Sequence, residues 1–350
     1  MFENGFFKTT PTDKAMTKTH NSRTSKRVLV TGATGFTGGA LAKKLSQQGN
    51  TVVALVRKTS DTNALKALGA ELIYGDISDA SAVIKAAKDI DIIYHIAAVY
   101  RTAGHPDEYY ESINVDGVQN IIDAAIAHNV GRTVHCSTIG VHGDIEEIPS
   151  NEESPFNPGD IYQRTKLAGE ELFATAMANG LKGAIFRPGA IYGPGDLRLL
   201  KMFKQIKRGF FPLFGGGNNL YHLSYIDDLC DGIILCGEHP KAVGERFILC
   251  SNEYSSMKEL GATIAQHLNV KAPTFAPPVG PLMLAAKVCE ALCKPLGIDP
   301  PLHTRRVEFF IKSRAFDNAK ARKLLGYDPK INTNEGTKRT IEWYKANDLL

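Results

Sequence analysis

With 350 residues, 43% of them apolar and 22% charged, the chain has the composition of an ordinary globular protein and length for one large domain or two interleaved ones. Its formal net charge of +4 sits entirely in residues 1–27, where six Lys/Arg meet two Asp/Glu; the remaining body carries 35 of each and lacks the electrostatic footprint of a nucleic-acid partner. Six cysteines without a CxxC pair argue against a disulfide framework or a zinc site, and no stretch approaches the roughly 18 apolar residues of a membrane span.

Residues 1–25 are polar, rich in Thr, Lys and Asn, and carry no apolar core of a secretory signal. They are expected to form a disordered tail on a cytoplasmic protein with reduced thiols. Short β-branched runs then read as buried parallel strands: Arg27–Thr31, Thr51–Val56, Glu71–Tyr74, Asp91–Ala97, Thr133–Ser137 and Gly183–Arg187. Helical stretches lie between most of them, at Gly39–Gln48, Asn63–Leu68, Ala80–Lys88, Tyr109–His128 and Tyr162–Ala178. This alternation predicts an α/β fold, a doubly wound parallel sheet with ligands at the carboxyl ends of its strands. After Pro188 the rhythm breaks, although Arg246–Cys250 could add a strand. Residues 26–187, with a contribution from about 220–250, are therefore expected to form a dinucleotide-binding domain. Residues 188–219 and 251–350 are expected to form a smaller, interleaved substrate domain.

Gly32, Gly35 and Gly38 follow the first strand and open the first helix. The first permits a tight turn, the second lets backbone approach a pyrophosphate, and the third allows close helix packing. Such a triplet is weak alone and gains weight only from its strand–turn–helix setting. The second strand ends on Arg57-Lys58 rather than an acidic residue, which favours the 2′-phosphate of NADP over the bare ribose of NAD. Asp76, after the third strand, is placed to meet an adenine edge.

Tyr162 and Lys166 are four residues apart, so on a helix they share a face. Acid–base work near neutrality requires the phenol pKa to fall from about 10, and a neighbouring cation favours the phenolate. A second pair at this spacing, Tyr254 and Lys258, lies beyond the last strand and reads as structural. At the end of the fifth strand, either Ser137 or Thr138 offers a hydroxyl to a substrate oxygen.

Together these residues resemble the extended short-chain dehydrogenase/reductase family, within the NAD-dependent epimerase/dehydratase superfamily. The match runs through Thr31–Gly38, Gly75-Asp76-Ile77, His95–Ala98, Asn114–Gly117, Ser137-Thr138, Tyr162 with Lys166, Arg187–Pro194 and Tyr225–Leu229. The resemblance implies a Rossmann-type fold and a Ser/Thr–Tyr–Lys mechanism. In it Thr138 takes the hydroxyl role, Tyr162 moves the proton, Lys166 binds the nicotinamide ribose and Asn114 supports them. It further implies a cofactor site including Thr34, Phe36, Ile77, Ala97, Ala98 and Pro188, and a homodimer through helices 109–128 and 160–178.

The chain looks like the dihydroflavonol-reductase and 3β-hydroxysteroid-dehydrogenase branch in Arg57 and in its carboxyl end. Nucleotide-sugar epimerases and dehydratases, the rival branch, usually place an arginine where this chain has Leu220-Tyr221-His222-Leu223. Arg305 or Arg306 is left to meet a phosphate.

The expected function is hydride transfer between NAD(P) and a secondary alcohol or ketone, with Tyr100, Ser137, His142 and Tyr192 at the substrate. A sugar-nucleotide epimerase with retained NAD and a non-catalytic nucleotide sensor are the alternatives. In Leu282–Lys294, the side chains of Lys287, Glu290 and Lys294 are expected to form a polar stripe on an apolar helix too short to span a bilayer. That helix would cover the core, serve as a lid, or meet a membrane surface.

Overall fold

The computed structural model describes residues 25–101, 104–293, 295, 300–302, 304, 307 and 311–350. The expected tail and Arg305, Arg306 and Lys294 thus lie outside the described residues, apart from Ser25.

The predicted alternation is present. It runs β1 (Arg27–Thr31), α1 (Phe36–Gln47), β2 (Thr51–Val56), α2 (Asn63–Ala67), β3 (Glu71–Tyr74), α3 (Ala80–Ala86) and β4 (Ile92–His95). After a helical region come β5 (Arg132–Cys136), the long α6 (Ile161–Ala178) and β6 (Gly183–Pro188). The β-branched runs become strands because both faces are covered: Val28–Thr31, Val52–Val56 and all of β6 are buried. The apolar run at 246–250 does extend the sheet, as β10 (Arg246–Leu249). Seven parallel strands stand in the order β3-β2-β1-β4-β5-β6-β10. This is a Rossmann-like α/β fold. Its order reverses between β1 and β4, and that is where such sheets open a ligand crevice.

One face of the sheet packs on α1, α8 (Ile226–Glu238) and helix Ala319–Leu325, through Leu41, Leu45, Leu229, Ile233 and Leu325. The other packs on α3 and on α5 (Gly117–Ala127), through Val83, Ala86, Ile121 and Ala124. A third cluster lies beyond the sheet, joining α7 (Leu200–Lys207), α9 (Met257–Leu268) and helix Thr333–Ala346 through Phe203, Ile206, Leu260, Ile264 and Ile341.

Two elements differ from expectation. The helix expected at 109–128 runs from α4 (Asp107–Glu111) into α5 through a widened π turn, Ser112–Asp116. Asn114 sits in that turn and bonds outside the helix: its Oδ1 accepts from Val99 N at 2.9 Å, and its Nδ2 donates to Thr165 Oγ1 at 3.0 Å. Such turns hold an extra residue where a side chain is required elsewhere. The second is α10 (Val279–Cys293). Its Glu290 is not part of an exposed polar stripe: it accepts from the N–H and hydroxyl of Thr304, at 2.8 and 3.0 Å. The exposed face is instead apolar, comprising Pro281, Leu284, Ala285, Val288, Ala291 and Leu292.

Helices α5 and α6 cross closely at Gly169, where a Cβ would stand 2.3 Å from the carbonyl oxygen of Asn114. Gly169→Ala should therefore push α6 off the π turn and cost about 1–3 kcal/mol, as overpacking does. A thermal melt should fall by several degrees. An unchanged melt would show that the two helices separate freely.

Candidate active site

The carboxyl ends of β1–β6 open into one cleft of about 870 Å³. The glycine turn forms one end. Gly32 has φ +69°, and a Cβ there would lie 2.9 Å from Ala97 N; at Gly38 it would lie 2.2 Å from the Gly32 carbonyl oxygen. The turn therefore requires glycine at both positions. Helix α1 starts with no acidic first turn and no side-chain cap, so the positive end of its dipole faces the cleft uncompensated. A cradle of this kind fits a dinucleotide pyrophosphate.

Thr31 fixes the neighbouring wall. Its Oγ1 accepts the N–H groups of Ile96 and Ala97, at 3.1 and 3.2 Å, and lies 2.8 Å from His95 Nδ1. With both acceptor sites used, the hydroxyl proton goes to an unprotonated His95 Nδ1. Burial first, then Lys166, holds the His95 pKa down at about 3, and the same causes push His135 well below its usual range. Their rings stack at 5.3 Å, and both stay neutral.

Gly32, Thr34, Gly35, Phe36, Gly38, Arg57, Asp76, Ile77, Ala97, Ala98 and Pro188 all line the cleft, with Tyr100, Thr138, Tyr162 and Lys166. Lys58 does not: it is exposed, one residue past the strand end. The i, i+4 spacing puts Tyr162 and Lys166 on the same buried face of α6. The Lys166 ammonium donates to the Cys136 carbonyl at 2.5 Å, and burial lowers its pKa. Burial raises the pKa of Tyr162, with Cys136 and Tyr100 adding to it, while a hydrogen bond with Thr138 and the charge of Arg101 pull it back. Thr138 also caps a short helical turn, accepting from Gly140 N at 3.0 Å. The Arg101 guanidinium stands 5.4 Å from the Tyr162 ring centre and pairs with Asp160 at 3.1 Å.

Four expected site residues take other places. Ser137 reaches the wall, but its hydroxyl donates to Glu170 at 2.5 Å, so between the two hydroxyls Thr138 is left for the cleft. His142 is fully buried behind it, accepting from Arg187 at 3.0 Å. Tyr192 is buried against Tyr225 and helix Thr333–Ala346, where Gly336 makes room for its hydroxyl. Neither His142 nor Tyr192 lines the cleft. Asn114 also lies outside it and acts through Thr165 on α6. Tyr254 sits apart, in edge contact with His222.

What the motifs missed is a buried ion pair. Arg187, 0% exposed, donates to Glu170 at 2.5 and 3.0 Å and to the Glu152 carbonyl at 2.9 Å. Burial alone would raise the Glu170 pKa, but the bonds from Arg187 and Ser137 hold it below the usual carboxylate range. A sequence signal existed: Tyr162, Lys166 and Glu170 form a polar i, i+4 row on a face that also carries Phe173. Also missed were Arg101, Arg198, Tyr221, His222 and Arg314, which line the cleft, Arg198 with its guanidinium 5.5 Å over the Phe36 ring. Among its described lining residues, five are Arg or Lys and only Asp76 is acidic, so the cleft suits an anionic ligand.

Residues 28–250 match the NAD-dependent epimerase/dehydratase family. The chain is similar to 3beta-hydroxysteroid-dehydrogenase/decarboxylase isoform 2 of Arabidopsis thaliana, 32% identical over 78% of this chain; it spans about half of that relative's length, 51%. It is also similar to the UDP-glucose 4-epimerase of Mycolicibacterium smegmatis, 27% identical over 91% of this chain and 98% of the relative. The crystal structure of gox2253 matches with a TM-score of 0.81 at 28% identity, covering 93% of this chain and 100% of that one.

The buried histidines make stability depend on pH. Their folded pKa lies below the unfolded value of about 6.5, so the unfolded chain binds more protons as pH falls through that value. Their contribution is complete above about pH 6.5 and is lost towards acid, at up to ~1.4 kcal/mol per pH unit for each ring. His135→Phe should reduce the slope between pH 6.5 and about 5 by up to ~1.4 kcal/mol per pH unit, measured by denaturant titration. An identical slope would mean that His135 is protonated in the folded state.

Proposed function

The chain belongs to the NAD-dependent epimerase/dehydratase family and is an enzyme of the extended short-chain dehydrogenase/reductase type, and from that premise we propose an NADP(H)-dependent oxidoreductase acting on a secondary alcohol or ketone. The observation that carries this reading is the convergence of Thr138, Tyr162 and Lys166 on the cleft that also holds the glycine turn and Arg57. Residues 26–187 with about 220–250 would hold the dinucleotide, and 188–219 with 251–350 the substrate.

Gly32–Gly38 and the start of α1 would take the pyrophosphate, Arg57 the 2′-phosphate, Asp76 the adenine edge and Lys166 the nicotinamide ribose. When bound, the nicotinamide supplies or accepts the hydride. Thr138 donates a hydrogen bond to the substrate oxygen and holds it beside Tyr162. In the oxidising direction Tyr162 takes the hydroxyl proton as the carbonyl forms; in the reducing direction it returns one. Burial opposes the phenolate this requires. Positive charge from Lys166 and from an oxidised nicotinamide favours it. Asn114 is a positioning residue, tying α6 to the segment after β4 at Val99.

One observation favours a second reading, a nucleotide-sugar epimerase that retains NAD. The arginine absent at Leu220–Leu223 is supplied from elsewhere: Arg314 N donates to the Leu220 carbonyl at 2.8 Å, and Arg314 joins Tyr221 in the cleft wall. The two readings separate on cofactor use, because only the oxidoreductase consumes added NADP(H).

Ile126 is 63% exposed beside a groove between α5 and α6, which supports a homodimer through this pair. Among the described residues no helix is long and apolar enough to cross a membrane, and all six cysteines are unpaired; a cytoplasmic setting accords with both.

Tyr162→Phe should lower turnover about 10²- to 10⁴-fold while NADP affinity stays within a few-fold of wild type. Arg57→Ala should weaken NADP binding at least about tenfold and NAD binding little, since only NADP carries the 2′-phosphate. Undiminished turnover in the first variant would remove Tyr162 from the mechanism. Equal losses for both cofactors in the second would remove Arg57 from the choice between them.

A further inference from the structure

The exposed side of α10 is the largest departure from an ordinary surface. Leu284, Val288 and Leu292, one turn apart, are 64, 50 and 65% exposed, and Pro281, Ala285 and Ala291 fill the same stripe. Two stacked rings also stand exposed, one of them shortly before the start of α10: Phe210 and Phe275, 62 and 56% exposed, lie 6.1 Å apart. The Phe275 carbonyl accepts from Leu213 N at 2.8 Å, and Val279 packs at Gly215, so the loop after α7 and the start of α10 form one body. Apolar residues standing out together on this scale mark a surface that is covered in use.

Its charge names the cover. Residues 200–216 and 275–293, the two segments that build this face, hold five Lys/Arg and one acid, Glu290, whose carboxylate is taken up by Thr304. Lys201, Lys207 and Arg208 are exposed on and just after α7, close in sequence to Phe210, and Lys287 is exposed on α10. The chain as a whole has 41 basic and 37 acidic residues, so this excess is local. At 15 residues α10 is too short to span hydrocarbon. Exposed Leu and Phe beside exposed cations, with the one acid bonded to Thr304, is the chemistry of a helix lying in the plane of an anionic bilayer.

We infer that this face docks the protein on the surface of an anionic membrane: α10, Phe210 and Phe275 enter the headgroup boundary, and Lys201, Lys207, Arg208 and Lys287 meet lipid phosphate and carboxylate. The inference is independent of the reaction proposed above. Helix α7 starts beside Leu199 in the cleft wall and ends at Lys207, three residues before Phe210, so docking would place the cleft within about one short helix of the lipid.

The test is flotation of the full chain with vesicles of phosphatidylcholine alone and of phosphatidylcholine with phosphatidylserine. Binding is expected to the second and not the first, and to weaken as salt rises. The triple variant Leu284→Glu, Val288→Glu, Leu292→Glu changes only exposed side chains and should lose binding at least about tenfold with an unchanged melting temperature. Reversing Lys201, Lys207 and Arg208 to Glu should weaken it by about fivefold or more for each charge. Two outcomes overturn the inference: no flotation of the wild-type protein with either vesicle, or a wild-type oligomer that the triple variant breaks into smaller species, which would assign the face to a second copy of the chain.

Discussion

A guanidinium cut off from water organises one wall of the cleft. Arg187 sits on β6 with its side chain fully buried, and each of its contacts belongs to a different element. Glu170 brings α6, His142 brings the turn after β5, and the Glu152 carbonyl brings the loop between them. Ser137 completes the arrangement from the end of β5 by donating to the same carboxylate. Burying two charges is unfavourable, and a well-packed apolar substitute is often as stable. Five fixed hydrogen bonds provide what an apolar substitute lacks, namely one register for α6 against the sheet. Tyr162 and Lys166 lie two turns and one turn ahead of Glu170 on that helix, so their positions follow from this pair.

The opposite wall is held by a neutral device. Thr31 gathers two amide protons from the chain beyond β4 and gives its own proton to His95. That fixes Ala97 against Gly32, where only a glycine fits. One wall of the cleft thus depends on a charged cluster and the other on a threonine and two uncharged histidines. Lys166 stands between them, its ammonium on a strand-end carbonyl. Burial at the cleft floor raises the Tyr162 pKa and leaves neighbouring cations to bring it down.

The sheet was legible because its signal is periodic and local. Runs such as Val52–Val56 admit few other readings, and the Gly32–Gly38 turn and Tyr162–Lys166 spacing report contacts made within a few residues. The misreadings share the opposite property. His142 and Tyr192 belong to family-like motifs, yet whether they face the cleft depends on Arg187 and Gly336, 45 and 144 positions away. Arg314 enters the cleft because it pairs with strand residue Tyr221, a contact across 93 positions that no local pattern announces. Glu290 looked like a surface charge because helical spacing gives the angle of a residue but not which side the fold covers. Thr304 decides that.

The edge strand β10 has a bearing on how the molecule is made. It pairs with β6 from more than fifty residues downstream, Ile248 N donates to Glu152, and Arg246 approaches Glu170 at 3.3 Å. A chain emerging from the ribosome as far as Pro188 therefore holds six strands and the whole of α6, but β6 still has an open edge. Parallel pairing across long separations is slow, and such edges invite wrong partners while they wait. The last third of the chain thus acts during biosynthesis as the closing piece of the sheet that precedes it.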